Sequence, residues 1–236
     1  RELEMHPKKM AAAFKISSST LRNYEANGLI PPTQRSANGY RVYTGLHADY
    51  LECIQAMAPA FGMVTTTEVL HSVQRNEVHS ALWTVREKEV ALYEEKGKVE
   101  RLIEDIRLQA SGNQSSYAKE RFTIGEVSEL TKAPESAIRY WEQAGYVLAD
   151  RDPANRYRLY GPAHLLKIGL MQALQSTVYS EDTVVLRQSI ASADHADLPR
   201  ILKLAEAIRS YLDKSVEAQM GGIASLHKLV LRQKSR

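Results

Sequence analysis

Leu21-Arg22-Asn23-Tyr24-Glu25 recurs as Ile138-Arg139-Tyr140-Trp141-Glu142, at an offset of 117 residues. The same offset carries Gly28 onto Gly145 and Asn38-Gly39-Tyr40-Arg41-Val42-Tyr43 onto Asn155-Arg156-Tyr157-Arg158-Leu159-Tyr160. It also brings His47 to His164, Gln55-Ala56 to Gln172-Ala173, and Val69 and Val73 to Leu186 and Ile190, with no gap. An internal repeat decides the whole fold and has to be settled first. Two copies mean a duplicated domain, not a solenoid.

A chain of 236 residues accommodates two small domains. With 44% hydrophobic and 25% charged residues its class is globular, not disordered. The single cysteine excludes an internal disulfide framework and a cysteine-rich metal site, and no cofactor or metal is expected. No apolar run reaches bilayer length and no signal-type segment opens the chain, so the expected setting is soluble, reducing and cytoplasmic, without a membrane partner. The net charge of +3 says less than its distribution. Residues 1–45 hold seven Lys/Arg against three acids, whereas 121–168 hold seven against six. The first copy is therefore expected in the more positive field, which suits a phosphate backbone.

Each copy begins with a short helix, Met5 to Phe14 or Phe122 to Thr131, followed by a polar bend, Lys15-Ile16-Ser17-Ser18 or Lys132-Ala133-Pro134-Glu135. Ser17 or Ser18 suits an N-cap, and Pro134 suits the first helical position of its copy. A second helix then runs Ser19 to Ala26 and Ser136 to Ala144, with Gly28 and Gly145 fitting a left-handed C-cap. Two short helices joined by a tight bend make a helix-turn-helix, whose second helix enters the major groove. On that helix Leu21 with Tyr24, and Ile138 with Trp141, fall on one apolar face by three-residue spacing. Tyr24 and Trp141 suit the core as readily as DNA. Arg22 and Arg139 point outward, where an arginine that recurs suits a phosphate or base contact.

Tyr40 to Tyr43 alternates at period two behind the hairpin dipeptide Asn38-Gly39, which predicts a two-stranded wing. Arg35 and Arg41, and Arg151, Arg156 and Arg158 in the copy, fall where a wing grazes phosphates. A further helix pair closes each copy: Leu46 to Met57 with Thr66 to Val73, and His164 to Leu174 with Glu181 to Ile190. Cys53 aligns with Leu170, the pattern of a buried small hydrophobe. His47 and His164 open a helix in both copies, which suits capping or packing better than a ligand.

This order of elements, with the Arg-x-Tyr-Glu-x-x-Gly-Leu-Ile-Pro-Pro stretch of residues 22–32 and the Asn-Gly-Tyr-Arg-x-Tyr stretch of 38–43, resembles the MerR family of bacterial transcription regulators. The copy resembles it too, with Trp141 for tyrosine, Arg156 for glycine and Tyr146-Val147-Leu148-Ala149 for the proline-ended loop. The resemblance implies a mainly α fold: two winged helix-turn-helix domains, each followed by a long dimerisation-type helix, the two helices pairing as an antiparallel coiled coil. It implies double-stranded promoter DNA as partner, with RNA polymerase beside it, and an inverted repeat between promoter hexamers that is untwisted or bent on activation. It carries DNA contacts onto Arg22, Tyr24, Arg41 and Tyr43, and onto Arg139, Arg158 and Tyr160. The bend, groove helix and wing add Lys15, Ser17, Ser19, Thr20, Asn23, Arg35, Asn38 and Tyr40. In the copy they add Lys132, Ser136, Tyr140, Arg151, Asn155, Arg156 and Tyr157. The metal-binding cysteines and separate effector domain of some members have no counterpart here.

Residues 78–108 space Leu82, Val85, Leu92, Val99, Ile103 and Ile106 in alternating steps of three and four, with Glu89 and Lys96 as polar steps. That is a coiled-coil seam on a helix roughly 45 Å long. A second seam runs through Ile201, Ala205, Ile208, Leu212, Leu226 and Leu229, begun by Asp197 and Pro199. Gly221-Gly222 in its weak centre is expected to break or bend it. The expected domains are therefore 1–76 (first winged helix-turn-helix), 77–109 (long helix), 110–120 (linker), 121–193 (second winged helix-turn-helix) and 194–236 (C-terminal long helix). The linker reaches about 40 Å when extended, enough to join two halves of an internal pseudo-dimer. A homodimer of four cassettes is the alternative.

The function expected is sequence-specific regulation of transcription through two non-identical cassettes on an imperfect inverted repeat. A nucleoid or partition protein of low specificity is a second reading. A third makes the second cassette, with Glu135, Glu142, Asp150 and Asp152, a protein-binding copy. No paired carboxylates, nucleophile elbow or phosphate loop suggests an enzyme. Trp83 and Tyr93 suit either an effector pocket or an ordinary helix face.

Overall fold

The computed structural model describes residues 5–111, 120–175, 177–194 and 197–234. It forms two compact units, Arg1–Val90 with Ser215–Arg236, and Ala91–Lys214. The expected linker lies mostly outside the described residues.

In the first unit, α1 (Pro7–Ala13) and α2 (Ser18–Ala26) form the helix-turn-helix. The bend between them turns on Lys15, at φ 53, in the left-handed region. Ser17 caps α2 by accepting from the Thr20 amide at 2.9 Å. Gly28, at φ 69, ends the segment after α2; the Leu29 amide returns to the Tyr24 carbonyl at 2.8 Å. The wing pairs β1 (Gln34–Arg35) with β2 (Arg41–Val42), in register Gln34↔Val42 and Arg35↔Arg41. Met5, expected inside the first helix, instead precedes it. It makes an antiparallel bridge to Tyr43, with backbone bonds of 2.7 and 3.0 Å, and so ties the segment before α1 to the wing.

Two helical segments follow within α3 (Gly45–Gln74), separated at Gly62, where φ 79 and ψ 160 are open to glycine alone. The N-terminal half of α4 (Val78–Ala110) then lends Ala81 and Val85 to the core, and the C-terminal half of α9 (Leu198–Lys234) lends Leu226, Leu229 and Val230. Helix α9 runs unbroken through Gly221-Gly222, contrary to expectation. A Cβ on Gly222 would sit 2.9 Å from the Phe61 ring and 3.4 Å from the Ala56 carbonyl oxygen. Close approach to α3 explains that glycine. Leu82 leaves the expected seam, with 41% of its surface exposed, and Ala81 takes the buried step.

The second unit repeats the plan with α5 (Ile124–Thr131), α6 (Glu135–Gln143), β3 (Asp150–Arg151), β4 (Arg158–Leu159), α7 (Pro162–Gln175) and α8 (Glu181–Ser192). Lys132 (φ 58) and Gly145 (φ 76) occupy the left-handed positions 117 residues after Lys15 and Gly28, and Arg156 (φ 64) replaces Gly39. Phe122 bridges Tyr160 as Met5 bridges Tyr43, so it too lies before its helix. Pro134 is the N-cap of α6, one position earlier than expected, and Glu135 becomes the first helical residue.

The core of this unit adds Val99, Ile103 and Ile106 from the end of α4 and Ile201, Ala205, Ile208 and Leu212 from the start of α9. The two segments run antiparallel: Lys96 meets Asp213 at 3.2 Å and Arg107 meets Glu206 at 2.9 Å. Asp197 caps α9 by accepting from the Arg200 amide at 3.1 Å. The two long helices thus pair as an antiparallel coil, and each unit joins one winged helix-turn-helix to parts of both.

Candidate nucleic-acid interface

Leu21 is fully buried and Tyr24 half-buried, so α2 turns its apolar edge inward and exposes Ser19, Arg22 and Asn23. Ser17 is exposed at the helix start, Thr20 is half-buried, and Lys15 is exposed on the bend. The first turn of α2 carries no acid, so the positive end of the helix is left uncompensated. On α6, Ile138 and Trp141 are buried while Ser136, Arg139 and Tyr140 are exposed, with Lys132 exposed before them.

Arg35, Asn38 and Tyr40 are exposed on the first wing, as are Arg151, Asn155, Arg156 and Tyr157 on the second. Tyr40 and Tyr157 stand out of the surface, 62% and 72% exposed. The Arg35 Nη1 donates to the Gly39 carbonyl at 2.9 Å, closing the first tip. The second wing has a different register, Asp150↔Leu159 and Arg151↔Arg158, and its tip therefore spans residues 152–157 where the first spans 36–40. Asp152 and Asn155 side chains accept the Ala154 and Tyr157 amides at 2.8 and 2.9 Å, holding the longer tip.

A carboxylate staples each wing to its helix. The Arg41 Nε donates to Glu25 at 2.6 Å, and the Thr33 amide and hydroxyl donate to the other Glu25 oxygen at 2.9 and 2.5 Å. Burial pushes the Glu25 carboxyl up, but the bonds from Thr33 and Arg41 win and hold it below the ordinary carboxylate range. In the copy, Glu142 receives Arg158 at 2.5 Å and Arg151 at 3.5 Å. Arg41 and Arg158 stay about one-third exposed, each with one edge committed to this staple and the rest open to solvent.

Tyr43 and Tyr160, expected as DNA contacts, sit in the core. Both are fully buried, paired through their backbones to Met5 and Phe122, and burial raises both phenols, that of Tyr160 to about 12. They are core residues under the wing. His47 and His164 stack edge-on against these rings at 5.3 and 6.1 Å and accept a backbone amide at Nδ1, from Thr44 and Gly161, both at 3.0 Å. That bond fixes the Nε2–H tautomer in His164, which donates to the Leu148 carbonyl at 2.8 Å. Cys53 is buried, and burial pushes its thiol up to about 12, partly offset by a bond with Ser225.

The acidic staple Glu25/Glu142 was visible as a repeated residue, but its role required the fold. Glu135 matters equally. It pairs with Arg139 at 3.1 Å across one turn of α6, and the corresponding residue in α2 is Ser18. Among the described residues Arg22 has no ion-pair partner.

Two winged helix-turn-helix units, each with exposed arginines on its second helix and wing, define a duplicated winged helix-turn-helix chain. The profile described as MerR family regulatory protein matches residues 6–43 and again residues 123–160, so the chain carries the MerR domain twice. It is 32% identical over 93 residues to the HTH-type transcriptional regulator CueR of Escherichia coli O157:H7, covering 39% of this chain and 65% of that protein. CueR of Escherichia coli O6:H1 is 36% identical over 67 residues, 28% of this chain and 50% of the relative. CueR of Salmonella typhi gives 36% over 67 residues and 49% of its length. The chain thus spans about half to two thirds of the length of these curated relatives. No solved structure gives a significant match.

Proposed function

We propose that this protein is a DNA-binding transcription regulator that reads an imperfect inverted repeat with two non-identical cassettes and distorts the promoter DNA between them, with RNA polymerase as its neighbour on that promoter. The repetition of an exposed groove-helix arginine beside an arginine-bearing wing carries this reading, supported by the likeness to regulators named CueR. Arg22 and Asn23, which correspond to Arg139 and Tyr140 in the copy, present different chemistry to base edges, so the two half-sites differ in sequence. Competition binding tests this: an asymmetric site outcompetes both perfect palindromes built from its halves, and a preference for either palindrome counts against it. A specificity ratio near one over random DNA would instead select a nucleoid-type role.

One chain supplies both half-site readers as an internal pseudo-dimer. In support, each unit's core holds segments of both long helices. A second reading for cassette two alone, binding protein in place of DNA, draws on the Glu135–Arg139 pair and the acidic balance around it. Replacing Arg139 and Arg158 by alanine leaves DNA affinity unchanged under that reading and lowers it under the first.

A further inference from the structure

Beside α6 the second unit contains a pocket of about 410 Å3, within the range of small-molecule sites. Its floor is Trp141, buried at 4% exposure, with Met171 behind it; Tyr140 and Tyr146 form aromatic walls. Ser136 stands at the rim, and among the described lining residues Arg187, from α8, brings the one charge and none is a carboxylate. The Arg187 Nη2 donates to the Leu174 carbonyl at 2.9 Å, which anchors the guanidinium and leaves further donors for a ligand.

The first cassette has no such chemistry at the corresponding positions. A shift of 117 takes Tyr146 to Leu29 and Arg187 to Leu70, both buried core aliphatics, and Tyr140 to Asn23. The second copy has therefore exchanged two core leucines for a tyrosine and an arginine that converge on one cavity. Arg187 is half-buried at a position that is a core leucine in the first copy, so part of its hydration is lost and an anionic occupant offsets that cost. Flat aromatic walls favour a ring by stacking and edge contacts.

We propose that this pocket binds a small aromatic carboxylate, its ring between Tyr140, Tyr146 and Trp141 and its carboxylate on Arg187. The site is independent of whether the second cassette reads DNA, and it is tested without DNA. The full chain carries two tryptophans. Labelled with 5-fluorotryptophan, its fluorine resonances are assigned with Trp83→Phe. Benzoate, salicylate, cinnamate and 2-naphthoate are titrated as probes, with cinnamamide as the neutral control. The expected result is a saturable shift of the Trp141 signal alone, with a dissociation constant of about 1 mM or below for at least one acid. Cinnamamide binds at least tenfold more weakly than cinnamate. Arg187→Leu, which restores the first cassette's residue, loses about tenfold or more in affinity. Gln175→Glu, which places a carboxylate at the pocket edge, weakens the acids and spares the amide. No saturable shift at Trp141 with any acid, equal binding of acid and amide, or unchanged affinity in both variants would overturn the proposal.

Discussion

Arg139 donates from Nη2 to Glu135 at 3.1 Å, across one turn of α6. Helix α2 has Ser18 where α6 has Glu135, and Arg22 stands exposed without an ion-pair partner among the described residues. An exposed pair at this spacing contributes only about 0.3–0.5 kcal/mol to the helix. If this helix reads DNA as proposed, the larger effect is on what approaches: a carboxylate in the first turn opposes a phosphate and takes up the arginine that would meet it.

Glu135→Ser therefore raises affinity for DNA and steepens its salt dependence by about one phosphate's worth of slope, roughly 0.9 in log–log units. Arg22→Ala costs about 1–3 kcal/mol of binding, and Arg139→Ala costs less in the native background than in Glu135→Ser. Fluorescence anisotropy on a fixed DNA site at several salt concentrations measures all three. Equal losses for Arg139→Ala in both backgrounds would show that Glu135 does not restrain the arginine.

Glu25 links α2 to the wing through Arg41 and Thr33, and its carboxyl titrates below the ordinary value. A depressed native pKa contributes stability that is fully present above the unfolded value of about 4.3 and is lost as pH falls through the native one. Glu25→Gln is expected to destabilise the first unit by about 1–3 kcal/mol at neutral pH. That difference shrinks as both proteins are acidified through the carboxylate range. Denaturant melts from pH 7 to pH 3 measure it; a difference independent of pH would exclude the ionised staple.

The two adjacent glycines of α9 are expected to behave oppositely. Nothing lies within 4 Å of a Cβ added at Gly221, so Gly221→Ala gains helix propensity and stabilises by up to about 1 kcal/mol. At Gly222 the same change presses on Phe61 and the Ala56 carbonyl, and overpacking of about 1–3 kcal/mol outweighs the propensity gain. Thermal unfolding separates them: Tm rises for Gly221→Ala and falls for Gly222→Ala. A rise in both would mean that α9 does not approach α3 so closely.

The duplication, the helix-turn-helix, the wing and both long helices were legible because each leaves a periodic or repeated mark. Lys15 and Lys132 show what was not: both adopt the left-handed backbone without being glycine, at positions that composition does not distinguish. The Met5–Tyr43 and Phe122–Tyr160 bridges are single residue pairs with no period to detect, and they pull both tyrosines into the core. Ala81 and Leu82 are adjacent at the start of a seam, where a three-or-four spacing fits either one, and only packing against the α9 segment decides. Gly221-Gly222 reads as a helix break because propensity is local, whereas close helix–helix approach is tertiary. The same holds for Arg187, whose place on a cavity wall depends on α8 folding back on α6 and α7.

One chain as a complete two-fold reader of DNA is tested most directly by stoichiometry. Sedimentation of the full chain, free and on a DNA duplex carrying a single footprinted site, gives the number of chains in each. The prediction is a monomer in solution and one chain on each duplex, with both half-sites protected. A stable dimer whose Val78–Ala110 helices cross-link to each other between chains, or two chains on one inverted repeat, would contradict it.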